Sequence, residues 1–196
     1  AAAMAPDLAA LPFMVDSEEP DDQALAAGIG RLLSEQLVSQ EQLRSADPLR
    51  VQRALTELGY DPAAAQRQLE RVFDVIGARQ LLLGSLARNS DGLRLTLSLW
   101  ERGQNQAEWL QTTPVLTEAQ LPEAMAALQN SLATALGIDQ STKRWPDAPV
   151  LHELGTLQQS GPAANVDAAM NLAESSVTPA LWWSLLEGLD RSGRVA

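Results

Sequence analysis

Few residues of this sequence combine the types and the spacing that a reactive site requires. The only histidine is His152, and a histidine base needs an orienting acid and a nucleophile within reach. Glu153 is its neighbour in sequence, but consecutive side chains of a helix point in different directions. The chain has no cysteine, which excludes thiolate nucleophiles, disulfides and Cys-ligated metals. We therefore predict a structural role for His152, no catalytic residue and no enzyme.

Two other stretches match ligand-binding motifs only in part. Residues 28–30, Gly-Ile-Gly, have glycines but lie within a helical pattern and lack the Lys and Ser of a phosphate-binding loop. Close packing of a helix on a sheet explains them better. The acidic cluster of residues 16–22 offers oxygen ligands but lacks the glycine-punctuated alternation of calcium loops. We expect a solvated loop in which Asp21 or Asp22 caps the following helix, and we predict no cofactor and no metal.

The tryptophans are the residues best suited to a contact surface. Trp182 and Trp183 are adjacent, so on a helix their rings point about 100° apart. One ring is expected inside the protein and the other at a partner surface, where Trp is enriched; an interface within this chain is the alternative. Trp100 and Trp109 are expected on neighbouring strands, over an open sheet face or in the core. Trp182 and Trp183 are thus the predicted partner-binding residues.

Charge and hydropathy exclude several kinds of partner. The net charge of -11 argues against nucleic acid, which binds to a basic face, and against an anionic membrane surface. No apolar stretch approaches the roughly 18 residues of a membrane span, and no signal peptide is recognisable, so this fragment is not expected to insert into a membrane. Residues 1–4 resemble a cloning remnant, and we expect the chain to be a piece of a longer protein.

The clearest structural signal is a β-hairpin. From Leu93 to Trp100, leucine alternates with Arg, Thr and Ser. In a helix the four leucines would spread around the cylinder, whereas in a strand they share one face. The turn sequence Asn-Ser-Asp-Gly at residues 89–92 precedes this stretch. The predicted strands here are 81–87, 93–100 and 107–112.

Apolar periodicity and helix-capping residues predict the other elements. The run 8–15 is predicted as a strand whose end or edge is marked by Pro12, and 42–46 as a further strand. Helices are predicted at 23–39, from Pro48 to Leu58, from Pro62 to Ile76, and at 118–136. The resulting fold class is α/β (α+β), with a mixed sheet of about five strands packed with helices and a C-terminal helical extension.

A change of composition after Gly137 divides the chain. Residues 139–149 are polar and contain two prolines, which is typical of a linker. Residues 150–196 have a helical pattern throughout. The predicted organisation is an α/β domain at 5–138, a linker at 139–149 and a helical segment at 150–196.

In their order, these pieces resemble the TolB-like N-terminal domain, a module of the Tol translocation protein that also occurs in bacterial receptor kinases, nucleotide cyclases and winged-helix regulators. The similar stretches are LAALPF, LAAGIGRLLSEQL, LRSADPLRV and IGARQLLLGSLARNSDGLRLTLSLWERGQNQAEW. Gly84-Ser85, the strand from Leu93 to Leu99, and Trp109 match features of the family. The similarity covers residues 8–138. Residues 150–196 resemble tetratricopeptide (TPR-like) helical pairs, with small or turn residues at Gly155, Ala168-Ala169, Pro179 and Gly193.

The resemblance implies a non-catalytic sensor or protein-interaction module. We expect the periplasmic region of a membrane-anchored bacterial signalling receptor, such as a Ser/Thr kinase, that binds a protein partner or an unidentified ligand. The alternative is the cytoplasmic regulatory domain of a nucleotide cyclase or of a winged-helix transcription regulator. A membrane span directly upstream would favour the first expectation.

Overall fold

The computed structural model describes residues 6–61, 64–139 and 144–160, and the predicted hairpin is at its centre. Strands β3 (Gln80–Asn89) and β4 (Gly92–Glu101) pair antiparallel over their whole length. Gly92 has a φ of 144°, and the Asn89 side chain accepts hydrogen bonds from the backbone N–H groups of Asp91 (3.0 Å) and Gly92 (3.1 Å). The four leucines of β4 are each at most 1% exposed and belong to one hydrophobic cluster. The period-two prediction is confirmed.

The other strands complete a mixed five-stranded sheet, which confirms the predicted fold class. β1 (Leu8–Ala10) and β2 (Met14–Val15) both pair parallel with β3, and β5 (Trp109–Thr112) pairs antiparallel with β4. The run predicted as one strand, 8–15, is thus two strands separated at Pro12. The strand predicted at 42–46 is wrong: Ser45 forms a single bridge with Leu8, because the preceding residues turn.

Helices cover both faces of the sheet. On the leucine face lie α1 (Pro20–Val38) and α4 (Leu121–Leu136), the latter preceded by a 3₁₀ turn at Glu118–Gln120. On the opposite face lie α2 (Pro48–Leu58) and α3 (Ala65–Ile76), which pack on Leu81, Leu83 and Trp100. Among the described helices, none is both long and apolar enough to cross a bilayer.

Local sequence explains most of the helix ends. The Asp47 carboxylate accepts hydrogen bonds from the N–H groups of Leu49 and Arg50 at the start of α2, and Gly59, Gly77 and Gly137 follow the helices with positive φ. The prediction that Asp21 or Asp22 caps α1 is wrong. This helix begins at Pro20, so both carboxylates lie inside its first turn.

The helix α5 (Ala148–Ser160) packs against α1 with unusually close backbones. A Cβ atom built on Gly155 would overlap the carbonyl group of Ala24, and one on Gly28 would overlap that of Leu151. Trp145 is 1% exposed and donates a hydrogen bond from Nε1 to Oε1 of Gln129 at 2.8 Å. Residues 144–160 therefore share the core of the sheet domain. The division into domains stays a prediction, and residues 161–196 lie outside the described part of the chain.

Candidate peptide-binding groove

A β-bulge interrupts the edge of the sheet that β1 and β2 form. Leu8 pairs with Gln80, an offset of 72 residues, whereas Met14 pairs with Ser85, an offset of 71. One residue of the stretch between the strands is therefore extra, which defines a bulge. Pro12 lies within it and has no N–H group to donate.

Ala10 and Val15, which flank the bulge, direct their main-chain N–H and C=O groups away from β3, toward the outer edge of the sheet. In a parallel ladder, a residue that bonds to its neighbour strand alternates with one that does not. The N–H groups of Leu11 and Asp16 donate to the carbonyl oxygens of Leu82 (2.9 Å) and Leu86 (3.3 Å) on β3. Ala10 and Val15 therefore point their N–H and C=O groups outward. The segment 44–46 covers the edge beside β1, whereas no strand among the described residues pairs with the outer edge of β2, which is called the open edge below.

This open edge borders a groove of about 620 Å³. The sheet edge forms its floor, and α1, α2 and the end of α5 form its walls. The hydrogen-bonding side chains that line the groove are Ser17, Gln23, Arg31, Ser34, Gln52, Asp61, Gln158 and Gln159. The lining is thus rich in amide and hydroxyl groups, which bond to main-chain and polar side-chain groups of a ligand.

Phe13 forms the apolar end of the groove. Its side chain lies over Gly84 of β3, where a Cβ atom would overlap the ring, and 3.2 Å separate its Cδ2 from a Cβ built on Gly30 of α1. The two glycines therefore make room for one aromatic ring between helix and sheet. The overlap at Gly84 gives a physical reason for the glycine at that position of the TolB-like resemblance, whereas the contact at Gly30 is only tight.

The groove is lined by one basic and one acidic residue, Arg31 and Asp61. Nη2 of Arg31 pairs with Oε1 of Glu35 one turn further along α1, at 2.7 Å. The Arg31 side chain is only 8% exposed and that of Glu35 16% exposed. Dissolved salt therefore weakens the attraction between these two charges only slightly. A ligand in the groove would meet main-chain groups, neutral amides and hydroxyls, and the single carboxylate of Asp61, rather than a strong field of one sign.

A second polar cluster lies at the hairpin end of the sheet. Arg88 of β3 donates from Nε to Asp22 (2.5 Å) and from Nη2 to Glu118 (2.6 Å). Burial alone would lower the pKa of Arg88, but the bonds to Glu118 and Asp22 outweigh it and raise this pKa. His152 lies 3.9 Å from Oε1 of Glu118. The cluster ties α1, β3, the 3₁₀ turn and α5 together.

A shallow pocket at the opposite end of the sheet is bordered by ion pairs. Arg44 bonds to Asp7 through Nε and Nη2, both at 2.8 Å, and Arg79 pairs with Glu101 at 3.3 Å. The hydrogen bond from Arg44 lowers the pKa of Asp7. Because each of these carboxylates neutralises an arginine at the rim, this pocket is a weaker candidate for a ligand than the groove.

The residues singled out in the sequence are distributed as follows. Residues 28–30 lie inside α1, packed on α5 and Phe13. Trp100 is 9% exposed in the core beside α3, with Nε1 bonded to the Ser98 hydroxyl at 2.9 Å, while Trp109 is partly buried on the opposite face. Within residues 6–61, 64–139 and 144–160, no three acidic or histidine side chains group as metal ligands. Trp182 and Trp183 lie outside the described residues.

No model of a known protein family and no curated protein matches this chain. Solved structures resemble it loosely. Escherichia coli LpoB has a TM-score of 0.45 at 15% identity, and the match covers 55% of each chain. TolB from Acinetobacter baumannii has a TM-score of 0.45 at 15% identity, over 68% of this chain and 29% of that protein. Lipoprotein GNA1162 from Neisseria meningitidis has a TM-score of 0.45 at 14% identity, over 66% of this chain and 97% of that protein.

These similarities concern the arrangement of strands and helices.

The groove itself was not predicted from the sequence. Its floor depends on parallel pairing between β2 and β3, which lie some 70 residues apart. The one local signal was Pro12 inside an apolar strand, because proline in a strand marks an edge or a bulge.

Proposed function

We propose that this domain is a non-catalytic protein-interaction module that binds an extended segment of a partner protein in the groove beside β2. The observation that carries this proposal is the open sheet edge, where Ala10 and Val15 direct main-chain groups toward a groove that both residues line. Extended peptides bind to such edges by adding a strand, with main-chain hydrogen bonds supplying affinity and neighbouring pockets supplying specificity.

The groove fits a peptide better than a small charged ligand. Its volume of about 620 Å³ lies within the range of roughly 300–1,000 Å³ typical of binding sites. Its side chains are mainly amides and hydroxyls, and its one arginine is already paired with Glu35. We therefore propose a segment with polar, uncharged side chains that contacts both Ala10 and Val15.

The experiment is a selection of 12-residue peptides from a random displayed library on the whole chain, followed by titration calorimetry of the tightest synthetic peptide. Strand addition requires the peptide's own N–H groups. Two methylated versions of the peptide are compared, one N-methylated at the odd-numbered and one at the even-numbered positions. We expect one of them to bind more than tenfold more weakly than the parent peptide and the other to bind almost as tightly. Equal affinity of both methylated peptides and the parent would contradict strand addition.

Two matched substitutions locate the site. Gln52→Trp places a large ring at the wall of the groove, while Gln106→Trp makes the same change at an exposed loop position outside it. We expect Gln52→Trp to weaken peptide binding at least tenfold and Gln106→Trp to leave it unchanged. The reverse order, or no effect of either, would refute the groove as the site.

We propose that this module belongs to a bacterial signalling protein. The TolB-like resemblance supports an extracytoplasmic region of a membrane-anchored signalling receptor such as a Ser/Thr kinase, with a cytoplasmic regulatory domain as the alternative. A cell-fractionation experiment on the complete natural protein distinguishes the two.

Trp182 and Trp183 are the proposed partner contacts. In a pull-down, the amount of partner protein captured should be lower with Trp182→Ala or Trp183→Ala than with the parent chain. Equal capture by the parent and both variants would refute this role.

A further inference from the structure

We propose that two copies of this chain pair through the free edge of β5, antiparallel, to form one continuous ten-stranded sheet about a two-fold axis. β5 ends the strand order β1–β3–β4–β5. The Thr113 N–H group donates to the Leu95 carbonyl oxygen on β4 at 2.9 Å. Since bonded residues alternate along an antiparallel ladder, Leu110 and Thr112 direct their N–H and C=O groups outward. No backbone bond to a described residue occupies these groups.

Within the described part of the chain, this edge lacks the protection that natural sheets usually have. Exposed edge strands commonly carry lysine or another charge that prevents pairing with a second chain. Residues 109–117 contain no charged residue, although Pro114 limits the length of the edge. Leu110 is 62% exposed and Val115 36% exposed, and they are two of the four large hydrophobic residues in the described chain that are this open.

The neutral surface continues from β5 onto α4. The Ser131 hydroxyl bonds to Oε1 of Gln111 at 3.2 Å, which places this flank of α4 beside the edge. At helical spacing around Ser131, the exposed residues are Ala127, Thr134 and Ala135. Adding a second β5 about 4.8 Å away would bring the two α4 helices toward each other, and small residues permit that approach.

A second copy is the occupant that fits this edge best. An antiparallel pair of identical strands closes about a two-fold axis, so the assembly stops at two copies. Each copy has a net charge of -11, and long-range repulsion between like charges is weakest where the contact surface is uncharged. With Gln111 on the axis, Leu110 of one copy faces Thr112 of the other, which forms four main-chain hydrogen bonds.

Single cysteines test this register directly, because these 196 residues contain no cysteine. Gln111 would face its own copy as a non-hydrogen-bonded pair with Cα atoms about 4.5 Å apart, within the roughly 4.4–6.8 Å that a disulfide spans. The whole chain carrying Gln111→Cys should form a disulfide dimer in oxidised and reduced glutathione at least tenfold faster than Val75→Cys. Val75 is 47% exposed on α3, away from the edge. Equal rates would overturn the proposal.

Sedimentation equilibrium of the unmodified chain supplies the second test. We expect a reversible monomer–dimer equilibrium that Leu110→Lys weakens at least tenfold and that Val75→Lys leaves unchanged. A mixture of Leu110→Lys with Leu110→Glu should regain the dimer, which shows that both variants are folded. A chain that stays monomeric at millimolar concentration, or assembles beyond dimers, would overturn the proposal.

Discussion

The close contact between α1 and α5 predicts that replacing either of its two glycines, Gly28 or Gly155, with alanine destabilises the protein. A Cβ atom on Gly155 would lie 2.6 Å from the carbonyl carbon of Ala24, and one on Gly28 would lie 2.8 Å from that of Leu151. Non-bonded carbon atoms pack at about 3.5–4.0 Å, and the two carbonyl oxygens lie closer to these Cβ positions than the carbons do. The two helices must therefore separate by at least roughly 1 Å to admit either methyl group. The obstructing atoms belong to the backbone, which cannot rotate away.

The expected loss of stability follows from two opposing effects. Glycine to alanine in an exposed helix stabilises it by about 1 kcal/mol. Overpacking in a tight core costs about 1–3 kcal/mol, and a rigid obstacle favours the upper end of that range. We therefore expect Gly155→Ala and Gly28→Ala each to lower the free energy of unfolding by about 2 kcal/mol. For a chain of this size that corresponds to a fall in Tm of roughly 4–8 °C.

The assay is urea unfolding followed by circular dichroism, with hydrogen exchange of peptides from α5. The matched control is Gly30→Ala on the same helix, whose nearest obstacle is the Phe13 Cδ2 atom at 3.2 Å. Because an aromatic ring can shift slightly, we expect this variant to stay within about 0.5 kcal/mol of the parent. A Gly155→Ala chain as stable as the parent, with unchanged exchange in α5, would refute the packing argument.

Three further predictions concern single side chains. Gly84→Ala should destabilise the chain by about 1–3 kcal/mol in thermal unfolding because its methyl overlaps the Phe13 ring; a neutral result would contradict this, and Ser85→Ala is the neighbouring control. Tyr60 is the only tyrosine, and burial, with repulsion from the adjacent carboxylate, raises the pKa of Tyr60 to about 12 from 10.0. As the pH rises, the Tyr60 hydroxyl therefore loses its proton in the unfolded state before it does so in the folded state. The free energy of unfolding should fall by up to about 1.4 kcal/mol per pH unit between those two pKa values, and Tyr60→Phe should abolish this pH dependence. Ultraviolet absorbance of the phenolate follows the ionisation, and a midpoint near 10 in the folded protein would contradict the raised pKa. Asp47→Ala should cost about 1 kcal/mol in urea unfolding through loss of the α2 cap, and an unchanged midpoint would show that the cap is dispensable.

Local patterns predicted the elements whose cause is local. The alternation from Leu93 to Leu99 specified β4 because a period of two places all four leucines on one face. Asp47 and the glycines after α2 and α3 specified helix ends through bonds to residues a few positions away. Such signals are contained in a short window of sequence.

The features that were missed depend on contacts between distant segments. The bulge at Pro12 arises from the register of two strands with β3, and no pattern within residues 8–15 specifies that register. Gly28 and Gly155 were noted separately, as part of a helix and as a repeat-like position, but their mutual contact spans two helices far apart in the chain. The groove results from the same long-range pairings, so its residues share no sequence motif.

The open edge beside β2 is the centre of the functional proposal, and amide hydrogen exchange measured by nuclear magnetic resonance tests it most directly. On addition of the selected 12-residue peptide, the amide protons of Ala10 and Val15 should exchange at least tenfold more slowly, while those of Leu110 and Thr112 keep their rates. Unchanged exchange at Ala10 and Val15 in the peptide-saturated protein would contradict the proposed mode of binding.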